Sequence, residues 1–228
     1  MLYLIPNTIT IANLLCGVTA ILLGDLWISS ILILFAAVLD LLDGLAARAL
    51  NAVSSIGKEL DSLCDMVSFG VAPAYLYFLI RPGDDHIYFI PSLVICACAA
   101  LRLAKFNTLP PSKDFLGLAS PASGLFITGL VLTIHWDHPI LTPWLFIEAV
   151  YLIIGVTIGL LMIIPLPMFS LKSLSDRSDR IWVLLTGLAI IAIVIWDYQL
   201  ILPLGILAYI LLSVIRLMTR SQVSPNEN

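Results

Sequence analysis

The sequence predicts an all-α, polytopic integral membrane protein with about eight transmembrane helices. Of its 228 residues, 61% are hydrophobic and 11% are charged, whereas charged residues supply about a quarter of an ordinary soluble domain. A bilayer core about 30 Å thick needs roughly 20 apolar residues per helical span, so about eight spans fit and leave only short loops. The formal net charge of −4 argues against nucleic-acid binding, which requires a basic surface. We expect membrane lipid to be the partner.

Apolar runs between turn residues and charges place the eight helices along the chain. Their predicted bounds are 9–24, 27–50, 57–80, 86–106, 120–136, 142–164, 180–196 and 199–219. We divide the chain into three parts on this basis. They are a six-helix core at 1–164, a cytoplasmic loop at 165–179, and an appended helical hairpin with a polar tail at 180–228.

The distribution of basic residues predicts the orientation, because cytoplasmic loops and helix ends carry an excess of Lys and Arg. With both termini inside the cell, every Lys and Arg except Arg81 falls on the cytoplasmic side. The basic residues on that side are Arg48, Lys58, Arg102, Lys105, Lys113, Lys172, Arg177, Arg180, Arg216 and Arg220. We therefore expect a multi-pass protein of the cell membrane with both termini cytoplasmic.

Three smaller patterns lie within or beside the apolar segments. The four cysteines form no Cys-x-x-Cys pair, so we expect neither a disulfide framework nor a zinc site. His135 and His138 have the spacing of a metal pair, but they flank Asp137 in a predicted outer loop, where we expect a solvated turn. Gly155 and Gly159 either admit a close helix contact or reflect the abundance of glycine in membrane helices.

Four aspartates, Asp40, Asp43, Asp61 and Asp65, lie inside the second and third predicted helices. Each charge would be costly in hydrocarbon without a partner. The intervals of three and four residues place each pair on one face of its helix. If the two helices form an antiparallel hairpin that turns near Ala52, all four lie roughly 13 to 19 Å from the turn at a rise of 1.5 Å per residue.

Four carboxylates at one depth repel one another unless cations neutralise them. All-oxygen ligation without a nearby His or Cys suits magnesium or manganese. Two divalent cations would balance four aspartates and could bind a pyrophosphate, as in two-metal phosphoryl displacement. A single buried Asp would be explained equally well by helix packing or ion translocation as by metal binding. Four in register, followed by Gly44, Arg48 and Gly57, favour a metal-phosphate site.

Residues 40–65, DLLDGLAARALNAVSSIGKELDSLCD, resemble the signature of the CDP-alcohol phosphotransferase family. That signature reads Asp-x-x-Asp-Gly-x-x-Ala-Arg, a short spacer, and then Gly-x-x-x-Asp-x-x-x-Asp. All eight positions match, and the spacer has the eight residues of the family pattern. The matching residues are Asp40, Asp43, Gly44, Ala47, Arg48, Gly57, Asp61 and Asp65.

The resemblance implies an enzyme that transfers a phosphoalcohol group from a CDP-linked lipid to a hydroxyl acceptor, with CMP as leaving group. It implies that Asp40, Asp43 and Asp61 hold two divalent cations. Asp65 would ligate the second cation and act as the general base. A homodimer is also implied. The implied contacts to the CDP moiety are Gly44, Ala47, Arg48 and Gly57.

The signature does not select the acceptor. Arg102, Lys105 and Asn107 end the fourth predicted helix, where they either bind an anionic acceptor or phosphate, or extend to the interface as ordinary anchoring residues. Asn13 of the first helix either faces the nucleotide or makes a helix contact.

Further stretches resemble the serine-accepting, membrane-embedded members of the family. They imply CDP-diacylglycerol and L-serine as substrates, and phosphatidylserine and CMP as products. Three alternatives stay open: glycerol 3-phosphate or inositol as acceptor, an ether-linked archaeal lipid as donor, and a small cation transporter whose buried aspartates bind the transported ion. The stretches are residues 6–17, 68–74, 102–107, 115–124 and 161–174.

Overall fold

The structure is a computed structural model that describes residues 3–108, 115–168 and 177–223. Its helices are α1 (Leu4–Leu23), α2 (Leu26–Ala49), α3 (Ser55–Asp65), α4 (Ala72–Leu79), α5 (Phe89–Thr108), α6 (Ser120–His135), α7 (Leu141–Leu145), α8 (Glu148–Ile163), α9 (Arg177–Trp196) and α10 (Ile201–Val223). A π-helical segment (Met66–Val71) and two short 3-10 turns (His86–Tyr88, Tyr198–Leu200) join some of them.

The predicted all-α membrane fold is confirmed. Within the described ranges, five helices are long and apolar enough to cross a membrane, among them a continuous rod formed by α3, the π segment and α4 over Ser55–Leu79. Three shorter apolar helices, at Ser120–His135, Glu148–Ile163 and Arg180–Trp196, complete eight rods. We call the end of the bundle where α2 ends and α3 begins the inner end, and the opposite end the outer end.

The first and third helices begin earlier than the apolar pattern predicts. α1 begins at Leu4, because Pro6 lies in the first turn, where a backbone N–H needs no partner within the helix. α3 begins at Ser55 because the hydroxyl of Ser54 caps it, accepting the N–H of Gly57 at 3.0 Å. Both extensions lengthen the inner end of the bundle.

The π segment that follows α3 is buried among neighbouring helices. Gly17 of α1 lies so close to it that an added Cβ would be 2.6 Å from Ser68 Oγ and 2.8 Å from Ser68 Cα. Gly124 of α6 lies on another side, where an added Cβ would be 3.1 Å from Phe69 Cα. A π-helical segment within an α-helix often accompanies a functional site. These contacts fix the last turn of α3.

The paired glycines of α8 make a close helix contact with α5. An added Cβ at Gly155 would overlap Pro91 Cβ of α5 and would also lie 2.7 Å from Tyr77 Cε1 of α4. An added Cβ at Gly159 would lie 2.9 Å from Val94 Cγ1 of α5. Of the two interpretations that the sequence left open, the structure therefore supports close packing. The Tyr77 hydroxyl also donates to the carbonyl of Tyr151 at 2.7 Å, which ties α4 to α8.

At the inner end, two residues before α6 pair in antiparallel fashion with two residues after α8. Its strands are β1 (Phe115–Leu116) and β2 (Pro167–Met168). The N–H of Gly117 donates to the carbonyl of Leu166 at 2.9 Å. The pairing holds the chain that enters α6 against the chain that leaves α8.

The appended hairpin packs on the core through α10, which contacts α6 and β2. The predicted loop at 165–179 lies partly outside the described residues, and α9 begins at Arg177, inside its predicted range. At the outer end, His138 Nε2 lies 2.7 Å from Asp197 Oδ2, in the turn between the two hairpin helices. His138 is only 3% exposed. The expectation of a solvated turn at this residue is wrong, because its partner lies 59 residues away along the chain.

The hydrogen bonds around His138 fix its tautomer. The backbone N–H groups of Ile140 and Leu141 donate to Nδ1 at 3.3 and 3.2 Å. Nδ1 is therefore the acceptor, and Nε2 carries the proton that it donates to Asp197. The Asp197 carboxylate also accepts the N–H of Gln199 at 3.0 Å. The bond from His138, and then that from Gln199, lower the pKa of Asp197.

We predict that Gly17→Ala destabilises the protein by about 1–3 kcal/mol, because the new methyl group overlaps the Ser68 backbone. Gly187→Ala in α9 is the matched control, since an added Cβ there meets nothing within 4 Å. Thermal unfolding in detergent measures both. The control should unfold at or above the temperature of the wild-type protein, because alanine favours a helix more than glycine does. Equal unfolding of the two variants would contradict the close contact.

We predict that Asp197→Asn lowers the unfolding temperature at pH 7 and that this difference shrinks as the pH falls. A carboxylate whose pKa is lowered in the folded protein stabilises it above the ordinary aspartate pKa of about 4. That contribution disappears as the pH falls through the lowered value. Unfolding scans of both proteins from pH 7 down to about pH 3 check the sign. A difference that grows at low pH would contradict the assignment.

Candidate active site

The aspartates of α2 and α3 come together at the middle of the site. Asp40, Asp61 and Asp65 each offer a carboxylate oxygen, and these oxygens all lie within 4.8 Å of one another. Asp43 lies outside that group of three, but it is 6% exposed and interacts electrostatically with Asp61 and Asp65. The structure therefore brings all four predicted ligands to one place, with three of them in direct proximity.

A cleft opens beside this cluster at the inner end, between α2 and α3. α1 packs along α2 and also contacts α3. It therefore forms a third wall of the cleft, and a hairpin of α2 and α3 alone would not have this wall. The signature residues that line it are Asp43, Gly44, Ala47, Arg48, Gly57 and Asp61. All four predicted CDP contacts from the signature thus face one space.

The two signature glycines border that space differently. An added Cβ at Gly44 would meet only the Arg48 guanidinium, with both terminal nitrogens 3.8 Å away. An added Cβ at Gly57 would lie 3.0 Å from Ser54 Oγ and 3.3 Å from Asn7 Oδ1. The packing of the protein therefore does not require glycine at position 44, and the missing side chain of Gly44 leaves room for a ligand.

Seven residues that line the cleft were not predicted as site residues, and three of them have polar side chains that lie within helices. Asn7 and Thr10 come from α1, and Lys58 comes from α3. Thr10 lies within hydrogen-bonding distance of the Asp43 carboxylate. The signal available in the sequence is the interval of three between Asn7 and Thr10, which places two polar side chains on one face of a mostly apolar helix.

Asn13 lies beside the predicted general base. It is fully buried, and its Nδ2 donates to Asp65 Oδ1 at 3.4 Å. Its backbone carbonyl accepts the Ser68 hydroxyl at 2.9 Å, which links α1 to the π segment. These two bonds are helix contacts, and Asn13 is not among the residues that line the cleft. A contact from Asn13 to the nucleotide stays a prediction.

The three predicted acceptor residues of α5 lie in different surroundings. Arg102 Nη1 donates to Ser120 Oγ at 3.0 Å, and its guanidinium interacts electrostatically with Asp65. Lys105 is exposed. Asn107 Nδ2 donates to Glu59 Oε2 at 3.1 Å and so ties α5 to α3. Arg102 is thus the acceptor candidate for which the structure gives an interaction with Asp65.

Comparison with known proteins identifies this arrangement. Residues 3–161 match the CDP-alcohol phosphatidyltransferase family. The chain belongs to this family. Because the family consists of transferases, the protein is an enzyme. Members of the CDP-alcohol phosphatidyltransferase family use divalent metal.

The names of three similar proteins indicate what those proteins make. The chain is 38% identical over 159 residues to the CDP-diacylglycerol–serine O-phosphatidyltransferase of Methanocaldococcus jannaschii, covering 70% of each chain. It is 42% identical over 140 residues to the protein of the same name from Bacillus subtilis, covering 57% of this chain and 76% of the relative. It is 32% identical over 169 residues to the archaetidylserine synthase of Methanothermobacter thermautotrophicus, covering 72% and 69%.

The residues present fit the divalent metal that the CDP-alcohol phosphatidyltransferase family uses. The donors are carboxylate oxygens, which hard divalent cations prefer. Asp43 Oδ2 and Asp61 Oδ1 are buried, and neither has a hydrogen-bond partner among the described residues. Buried polar atoms without partners are uncommon in folded proteins. A cation bound at this cluster would satisfy them and offset the repulsion among the carboxylates.

We predict that a divalent cation raises the unfolding temperature of the wild-type protein and that a chelator lowers it. Ligand at 100 times its Kd stabilises a folded protein by about 2.7 kcal/mol. Asp61→Asn should lose most of this effect, and in chelator it should unfold above the wild-type protein because one repelling charge is gone. Asp84→Asn is the control, since the side chain of Asp84 is 97% exposed. An unchanged response in Asp61→Asn would contradict the metal site.

Proposed function

We propose that the protein transfers the phosphatidyl group of CDP-diacylglycerol to the hydroxyl of L-serine, giving phosphatidylserine and CMP. The observation that carries the proposal is the cluster of signature carboxylates beside a cleft lined by the signature's other residues. The names of the relatives from M. jannaschii and B. subtilis support serine as acceptor. Family membership favours transfer over the cation transport that the sequence left open.

The donor binds with its nucleotide in the cleft. Gly44 leaves space for the CDP moiety, and Arg48 beside it offers a planar cationic fork for a phosphate. Two divalent cations, magnesium or manganese, held by the four aspartates would neutralise the diphosphate and so facilitate phosphoryl displacement. The remaining signature contacts to the nucleotide in this proposal are Ala47 and Gly57.

The acceptor reacts beside Asp65. The carboxylate of Asp65, held by Asn13, takes the proton of the serine hydroxyl. The serine oxygen at the same time forms a bond to the phosphorus next to diacylglycerol. The bond from that phosphorus to the CMP oxygen breaks, and CMP leaves with the electron pair. Arg102, which interacts with Asp65, provides a cation for the serine carboxylate.

The proposal includes a location, an assembly and a division of the chain. The protein lies in the cell membrane with both termini cytoplasmic and its active site open to the cytoplasm, supported by the inner-end position of Arg48 and Lys58 in the cleft. Residues 1–164 form the catalytic core, and residues 180–228 the appended hairpin and tail. A homodimer follows from the family resemblance alone.

A second candidate concerns the donor lipid. One relative is named an archaetidylserine synthase, which favours an ether-linked CDP-lipid as the alternative donor. The cleft contains the nucleotide-binding residues of the signature, and these residues would serve either donor. Parallel assays with ester-linked and ether-linked CDP-lipids, compared by kcat/KM, separate the two.

We predict that the purified protein forms lipid product with L-serine and not with glycerol 3-phosphate or inositol. Asp65→Asn should lower CMP release by about 10²- to 10⁴-fold, the usual contribution of a general base, while folding is retained. Asp84→Asn is the matched control for this replacement. Product formation is measured by lipid chromatography, and folding by the unfolding temperature.

Two results would contradict the proposal in different ways. Full activity in Asp65→Asn would remove the general base that we assign. Product with glycerol 3-phosphate or inositol, and none with serine, would retain the fold and the metal chemistry but replace the acceptor.

A further inference from the structure

One face of α10 carries three polar side chains near the inner end. Tyr209, Ser213 and Arg216 are spaced by four and three residues, so they lie on the same side of the helix. Ser213 is fully buried, and Arg216 is only 3% exposed. The neighbouring positions of α10 are apolar. A buried arginine in a membrane-spanning helix is costly and marks a functional site by default.

This polar face is directed to the acceptor side of the active site. α10 packs against α6 and β2, and α6 begins at Ser120, the residue that Arg102 contacts. Tyr209 interacts electrostatically with both Arg102 and Arg216. Arg102 in turn interacts with Asp65. Electrostatic interactions therefore link the appended hairpin, through Tyr209 and Arg102, to the proposed general base.

Atoms in this region have hydrogen-bonding capacity left for a ligand. Arg102 uses Nη1 for Ser120, whereas its buried Nε has no hydrogen-bond partner among the residues that the structure describes. The same holds for Oγ of Ser123, which is fully buried one turn further along α6. The Nε–H of an arginine and a neighbouring terminal N–H form the edge that binds a carboxylate in bidentate fashion.

We propose that α10 completes the acceptor site, with Arg216 and Tyr209 binding the α-carboxylate of L-serine together with Arg102. The serine hydroxyl then faces Asp65. The inference rests on the proposed function and extends it, because α10 lies beyond residues 3–161, which carry the family match. The hairpin is accordingly part of the acceptor site of the enzyme.

The experiment compares L-serine with L-serinamide, which has the same hydroxyl and no carboxylate, in the full-length protein with CDP-diacylglycerol. Arg216→Gln should lower kcat/KM for L-serine by about 10- to 100-fold, the range of a lost charge-assisted hydrogen bond. The value for L-serinamide and the KM for CDP-diacylglycerol should stay unchanged. Arg81→Gln is the matched control, because Arg81 lies at the outer end in a pair with the exposed Asp84.

Two further variants keep the test independent of folding. Arg216→Lys retains the charge and should retain more of the preference for L-serine over L-serinamide than Arg216→Gln does. Tyr209→Phe removes a single hydroxyl and should lower that preference several-fold. If Arg216→Gln fails to fold, the preference measured in Tyr209→Phe decides the question.

Several results would overturn the inference. An equal fall in kcat/KM for both acceptors would indicate a structural role for Arg216. A rise in the KM for CDP-diacylglycerol would indicate that the diphosphate of the donor is the anion bound there. If the preference for L-serine over L-serinamide is unchanged in every variant, α10 does not bind the acceptor. Wild-type protein that forms no product with serine would overturn the proposed function itself, and the inference with it.

Discussion

The mutual repulsion of four carboxylates that α2 and α3 bring together is the constraint on which the rest of the structure depends. Water would screen these charges at a protein surface, but Asp43 and Asp65 are only 6% and 8% exposed, so their charges are poorly screened. The helices around them must therefore hold the carboxylates together by packing. Gly17 and Gly124 allow α1 and α6 to approach the π segment closely, and that segment begins directly after Asp65. The packing keeps the ligands in place for a cation whose charge offsets the repulsion.

The part of the site that the sequence could predict is the part that helix geometry determines locally. Intervals of three and four residues place Asp40 with Asp43, and Asp61 with Asp65, on single faces. The structure adds the contribution of α1, which supplies Asn7 and Thr10 to the cleft. Their contact with α2 and α3 depends on tertiary packing between helices, and no local interval in the sequence encodes that packing.

The three acceptor candidates of α5 show the same limit in another form. Arg102, Lys105 and Asn107 lie within two turns of one helix, so composition and charge do not distinguish them. The three residues differ in their depth in the bundle and in the direction in which they leave the helix. Arg102 is nearest the middle of the bundle and meets Ser120, whereas Lys105 lies one turn nearer the inner end and is exposed. Asn107 points to α3, which a pattern of charges cannot indicate.

The attachment of the hairpin argues that its position matters for function. α10 packs along α6, and the two ends of this contact carry polar interactions. At the outer end His138, just beyond α6, bonds to Asp197. Near the inner end Tyr209 interacts with Arg102, which is bonded to the first residue of α6. A hairpin that only shielded α6 from lipid would need apolar contacts alone, since polar pairs in a bilayer add little to helix association. Fixing both ends sets the rotation of α10, and rotation determines whether Arg216 faces the site of the acceptor or the lipid.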